Sequence, residues 1–295
     1  SINLGGSTGI EIHNNRFEPQ IGCGINVYRS KDCDIHDNTF KMQSYARSCD
    51  LYRGAGTVTG VRITDYNAKK GDERGCWGNK VHDNVFDVTA RDPGGRVVAI
   101  FYSSGGGENF ITGNRFSVLN ESTEGRGWAT AFYIGAGDFG AVIEKNIITT
   151  NTPAFNIAAG YGPAGYVTIR GNTITKAKGA SEDLKPVRMG MGGLIATEVK
   201  FLGNTWEGWP FEIDWGSTDT KGKKHTWSVG WTLTVKAVDA AGKPLADREV
   251  IIADKDGKEA ARVKTGANGT ASAELVEYTA ARSFGTEAAE AKTFA

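Results

Sequence analysis

Several things are scarce in this sequence, and each scarcity excludes something. There are only 7 prolines beside 40 glycines in 295 residues, which suits many tight turns and fits neither collagen nor a disordered tract. Charge of one sign is not in excess: 34 Lys and Arg meet 34 Asp and Glu. No overall field therefore draws the chain to nucleic acid or to an anionic membrane. No apolar run approaches the ~20 residues of a transmembrane helix, and no signal peptide is read at the start. The four cysteines, Cys23, Cys33, Cys49 and Cys76, all lie in the first quarter. Their spacing matches no common zinc signature, so no metal site is expected of them. One or two disulfides tying early loops is the leading reading, with buried free thiols as its alternative. Gly105-Gly106-Gly107 lacks the context of a phosphate loop and reads as a turn, and no cofactor motif is present.

What is abundant is repetition. A short phrase of alternating residues, an Asn, one spacer and a large apolar residue occurs seven times, centred on Asn15, Asn38, Asn84, Asn114, Asn146, Asn172 and Asn204. The gaps between these Asn are 23, 46, 30, 32, 26 and 32 residues. Repeats of this period indicate a solenoid, whose units bury their apolar faces only by stacking. Alternation before the Asn predicts a strand with Ile12, Ile35, Val81, Ile111, Ile143, Ile169 and Phe201 on one side. Phe17, Phe40, Phe86, Phe116, Ile148, Ile174 and Trp206 begin the next strand inside the core. The Asn side chains should form a ladder of amide hydrogen bonds, and the Asn itself is expected in the left-handed conformation of the intervening turn. A second phrase, small-apolar-any-apolar, precedes most copies, as in Gly24-Ile25-Asn26-Val27, Gly60-Val61-Arg62-Ile63 and Ala131-Phe132-Tyr133-Ile134. Val98-Ala99-Ile100 fills one slot and Pro210-Phe211-Glu212-Ile213 the last.

With about three short strands per coil, residues 1 to 216 resemble the right-handed parallel β-helix of the pectate-lyase-like superfamily. That superfamily holds lyases, hydrolases, epimerases, adhesins and tailspikes, so the resemblance implies a fold more than a reaction. The first residues already read as the middle of a coil, which suggests a mature or fragmentary chain. Long excursions at 41 to 60, Tyr66 to Trp77, Ala90 to Arg96, Asn120 to Trp128 and Lys176 to Lys185 are expected to leave from one corner and build a binding face.

On the outer surface, one column should read Asn26, Arg62, Ala99, Tyr133, Asn156, Arg188 and Glu212. Its neighbour should hold Tyr28, Thr64 and Phe101. Arg can pair with a uronate carboxylate through two hydrogen bonds, while aromatic rings cover sugar C–H surfaces. An eliminating lyase also needs a cation at that carboxylate and a basic Tyr, Lys or Arg beside it. Arg62, Tyr133 and Arg188 are therefore candidate catalytic residues, and Asn26, Tyr28, Phe101, Asn156 and Glu212 complete the candidate binding set. An Arg188–Glu212 pair on a solvated sheet is the bland alternative. His13, His36 and His82 form another outer column, read as ordinary surface residues rather than a metal pair. Asp65, Asp138 and Asp214 make no recognisable acid–base pair.

The pattern changes after Trp215. Residues 217 to 225 read as a polar linker and 226 to 295 as short strands with hairpin turns at Asp256-Gly257 and Asn268-Gly269. Thr232 to Leu245 and Thr265 to Thr270 resemble the carboxypeptidase-regulatory-like family of Ig-like β-sandwiches, here short by at least one strand. The sequence thus predicts an all-β chain: a right-handed parallel β-helix solenoid with a small C-terminal β-sandwich. Its expected role is extracellular or at the cell surface, binding or processing an acidic polysaccharide. The alternative is a non-catalytic adhesive or filament protein. Self-association through the helix end or the sandwich is expected if no further chain covers them.

Overall fold

The computed structural model describes the chain except for residues 20–21, 45–56, 66–67, 70, 92–94, 124–127, 138–139, 287 and 295. Three sheets run side by side along the molecule. The first has eight strands, from Ile2–Gly5 to Ile213–Ser217, and the third has seven, from Arg16–Phe17 to Thr205–Glu207. The second starts at Glu11–His13 and reaches ten strands by recruiting three from the C-terminal region. Successive coils pair in parallel in all three sheets. The chain is an all-β parallel β-helix, with no α-helix among its described residues.

The two phrases account for the interior. Ile12, Ile35, Val81, Ile111, Ile143, Ile169 and Phe201 lie in one register column, each 6% exposed or less. Phe17, Phe40, Phe86 and Phe116 stack with ring centroids 4.9, 4.6 and 4.8 Å apart. Ile148, Ile174 and Trp206 continue that column. The stack explains the small residue that opens the second phrase. A Cβ on Gly60 would lie 3.0 Å from both the Phe86 ring and the Met42 sulfur, and 2.7 Å from the Ala99 carbonyl oxygen.

The amide ladder is present. Asn38 donates to Asn84 Oδ1 (3.0 Å), Asn84 to Asn114 (3.0 Å), Asn114 to Asn146 (3.0 Å), Asn146 to Asn172 (2.9 Å) and Asn172 to Asn204 (2.9 Å). Each buried amide also bonds main-chain groups, so the corner of the helix has its polar groups satisfied. The left-handed residue is the one before the ladder Asn: Asn14, Asp37, Asp83, Gly113, Lys145, Gly171 and Gly203 all have φ between 52° and 67°. The ladder Asn was expected there. Its side chain must instead point inward, and the residue ahead of it makes the turn. A second, shorter ladder runs from Asn79 to Asn109 (2.8 Å), with the Cys33 amide donating to Asn79 Oδ1.

Cys33 and Cys76 are fully buried free thiols, and Cys23 is a half-buried one. The disulfides expected of them do not form; Cys49 lies outside the described residues. Both buried thiols donate to main-chain carbonyls, Cys33 to Lys31 and Cys76 to Thr64, and pack as small apolar groups. Burial pushes the Cys76 pKa up to about 12.

The excursions do not all leave one corner. Those after Thr39–Gln43, Val85–Ala90, Arg115–Asn120 and Thr173–Lys176 follow strands of the third sheet. The Tyr66 to Trp77 segment instead follows Thr57–Thr64 of the first sheet.

The junction also differs from expectation. The first half of His225–Lys236 is a rung of the helix, with Val199 to Leu202 aligned in parallel to Trp227 to Gly230. Along its whole length the strand also runs antiparallel to Thr270–Ser283, which then pairs with Ala289–Phe294. A domain boundary at 226 therefore falls inside a helix sheet. Residues 217 to 225 are tied down as well: the Thr220 amide donates to the Phe284 carbonyl and the Phe284 amide to Thr220 Oγ1. The hairpin Glu249–Ala253 and Glu259–Lys264 lies beside Thr270–Ser283. Trp227 is buried against Trp215, at 5.2 Å, whereas Trp231 stays 46% exposed. Covering Trp227 is thus achieved within the chain.

His225, wholly buried under Trp215 and Phe284, closes this junction. Its Nδ1 accepts the Ala196 amide (3.0 Å), so the proton sits on Nε2 and donates to Ser217 Oγ (2.9 Å). Ser217 in turn donates to the Leu194 carbonyl. Burial, with Arg282 nearby, pushes the His225 pKa down to about 4.

Candidate ligand-binding face

The outer face of the first sheet carries one continuous column: Asn3, Asn26, Arg62, Phe101, Tyr133, Asn156, Arg188 and Asp214. Of the residues expected to bind, Asn26, Arg62, Phe101, Tyr133, Asn156 and Arg188 belong to it. Phe101 takes the place assigned to Ala99, which is buried in the core. Asp214 takes the place assigned to Glu212. The true phrases are Ala99-Ile100-Phe101-Tyr102 and Glu212-Ile213-Asp214-Trp215, each shifted by two residues or fewer from the expected alignment. Arg188 Nε accordingly lies 3.6 Å from Asp214, while Glu212 pairs with Lys185 at 3.2 Å. Tyr28 stands in the next column, opposite Thr64, with the Arg29 guanidinium 4.9 Å from its ring centre.

The middle of the column is aromatic. Phe101 and Tyr133 stack at 5.4 Å and 12°, and Trp128 stacks on Tyr133 at 5.8 Å. Their position follows from the sheet: residues in register on adjacent coils place their rings face to face along the helix axis. The faces of Phe101 and Tyr133 are consequently used on each other, and each residue is only 8% exposed. Cations flank the stack. The Arg62 guanidinium lies 5.1 Å from the Phe101 ring centre and that of Arg96 5.5 Å from Trp128.

Tyr161 supplies the accessible ring. It stands perpendicular to both Phe101 (5.5 Å, 79°) and Tyr133 (6.3 Å, 77°) and is 71% exposed. Gly135 makes room for it, since a Cβ there would sit 2.9 Å from Tyr161 and 3.3 Å from Tyr133. Tyr161, Trp128 and Arg96 were missed in the sequence because they lie outside the phrases. The signal was a tyrosine set in the glycine-rich run Gly160-Tyr161-Gly162-Pro163.

Tyr133 is not placed to act as a base. Its hydroxyl donates to the Ala159 carbonyl at 2.5 Å, and burial, aided by Tyr161 and opposed by Arg96, pushes its pKa up. A phenol held this way gives a hydrogen bond and does not collect a proton at neutral pH. What the middle of the face offers is contact area, the open Tyr161 ring and the Arg62 and Arg96 guanidiniums.

Among curated proteins none matches this chain. Among solved structures it resembles PfbA, a surface adhesin of Streptococcus pneumoniae, at 13% identity and a TM-score of 0.36. That match covers 92% of this chain and 69% of the adhesin; so distant a likeness carries no argument about function. The sequence model of the right-handed beta helix region matches residues 1–183. With three parallel sheets built from that stretch, the chain belongs to the right-handed beta helix family.

Proposed function

We propose that the protein binds an acidic polysaccharide outside the cell, without cleaving it, on the outer face of the first sheet. The observation that carries this reading is the open Tyr161 ring set across the Phe101–Tyr133 stack, with Arg62 and Arg96 on the flanks. The exposed ring can cover a sugar C–H face. The guanidiniums supply planar, bidentate partners for carboxylates. A hydroxyl already donating to Ala159 favours binding over β-elimination.

Affinity electrophoresis through gels containing polygalacturonate, hyaluronate or neutral dextran tests the proposal, with parallel readings of the ultraviolet absorbance of unsaturated products. Retardation by at least one acidic polymer, little by dextran and no absorbance rise are expected. Tyr161→Ala should weaken binding roughly tenfold, as loss of an aromatic anchor does. Absence of retardation in every gel would leave the protein as a structural or adhesive rod. An absorbance rise abolished in Tyr133→Phe would restore the lyase.

A further inference from the structure

On the outer face of the second sheet, His13, His36 and His82 occupy one register column on three successive coils. Their rings stack at 5.1 and 5.0 Å, within 8° of parallel. Both nitrogens of His36 meet carboxylates: Nδ1 faces Asp37 at 2.8 Å on its own turn, and Nε2 faces Glu11 at 2.9 Å on the coil before. His82 repeats the arrangement, with Asp83 at 2.7 Å on its own turn and Asp34 at 2.7 Å on the coil before. A neutral imidazole has one N–H. Two carboxylate contacts on one ring are both hydrogen bonds only when the ring carries a second proton.

The surroundings favour that proton. Glu11, Asp34, Asp37 and Asp83 converge on the column, and Lys80, opposite Asp34, is the basic side chain in register with them. His13, at the end of the stack, meets the Asn14 amide where the other two meet aspartate. On the next coil the column continues with uncharged Thr112. The cluster is therefore anionic while its imidazoles are neutral.

We infer that His36 forms an acid-strengthened clamp, taking up a second proton and then bridging Asp37 on its own turn to Glu11 on the preceding coil. Proton uptake turns one contact between acceptors into a second charge-assisted hydrogen bond and joins the first two coils through their side chains. For His36 the aspartate on its turn, followed by Glu11, holds the pKa above the usual histidine value. Glu11 is correspondingly held down by His36. A raised folded-state pKa stabilises most fully below the unfolded value, and the contribution is lost as pH rises through the folded one. The clamp therefore tightens on acidification from pH 8 towards 6.

Nitrogen-15 NMR of the imidazoles, joined to hydrogen exchange of the full chain, tests this. At pH 6, His36 should show two protonated nitrogens, with a titration midpoint above that of free histidine. Exchange protection in Glu11–His13 and Asp34–His36, corrected for intrinsic rate, should rise from pH 8 to 6. The rise should be roughly tenfold for each unit by which a midpoint is raised. His36→Gln, at a half-buried surface position, should abolish it. A midpoint at or below that of free histidine would overturn the clamp, as would an undiminished rise in the variant.

Discussion

At the scale of single residues, the fold depends on a few buried polar groups placed where an apolar residue would fail. Asn114 is the clearest: it donates to Val81, Thr112 and Asn146 and accepts from Asn84. Asn114→Ala leaves these groups unpaired on both neighbouring coils. It should lower stability by about 2–3 kcal/mol, measurable by denaturant unfolding. His225 is the second case, and its sign is opposite to that of His36. Because its folded pKa is depressed, its contribution is complete above the unfolded value near 6.5 and is lost as pH falls towards 4. The protein should lose up to about 3 kcal/mol over that window. His225→Phe, by removing the titration, should flatten the dependence of melting temperature on pH between 6.5 and 4, whatever it does to stability at pH 7. The ladder was legible in the sequence because Asn recurs beside a constant apolar phrase. His225 was not, since a lone histidine after Lys223-Lys224 reads as a polar surface residue.

At the scale of strands, alternation identified the inside and the outside correctly while leaving the column uncertain. A slip of one residue exchanges the two faces of a strand and would have been noticed; a slip of two keeps the face and moves the residue along the strand. That is how Glu212 displaced Asp214. In the Arg96 to Ser103 strand, two consecutive residues, Ala99 and Ile100, lie in the core between Val98 and Phe101 of the outer cluster, which interrupts the alternation. The small residue that opens the second phrase is a packing requirement. Gly60→Val would drive a branched side chain into Phe86, Met42 and the Ala99 carbonyl. Destabilisation of about 1–3 kcal/mol is expected, with reduced near-ultraviolet circular dichroism if the phenylalanine stack is displaced. Gly60→Ala should cost less.

At the scale of the whole molecule, the sequence separates two domains that the hydrogen bonding joins. The strand His225–Lys236 pairs with the last helix coil along its first half and with the C-terminal layer along its whole length. The Arg170–Glu144 pair, at 2.6 Å, is extended to Glu274 of that layer. A change of composition after Trp215 marks where the repeat ends, and it cannot show that the next strand still pairs with the last coil. A chain ending at Ser217 should consequently behave poorly. It would uncover Val199–Leu202 as an open edge and strip Trp215 of Trp227, His225 and Phe284. Light scattering should find it aggregated, or its melting temperature well below that of the full chain. A monomer melting like the full chain would mean that the helix ends by itself.

The amide ladder also makes the molecule a graduated object under tension. Its partners are separated by 23, 46, 30, 32, 26 and 32 residues, so each coil stores a fixed length of chain. Pulled from its termini, such a stack peels from an end, because an interior coil is held on both sides and a terminal one on a single side. At about 3.5 Å per extended residue, the coils should release close to 8, 16, 10, 11, 9 and 11 nm. In a force spectrometer, the 16 nm step would mark the coil between Asn38 and Asn84, and the order of steps would report the end from which the protein unwinds.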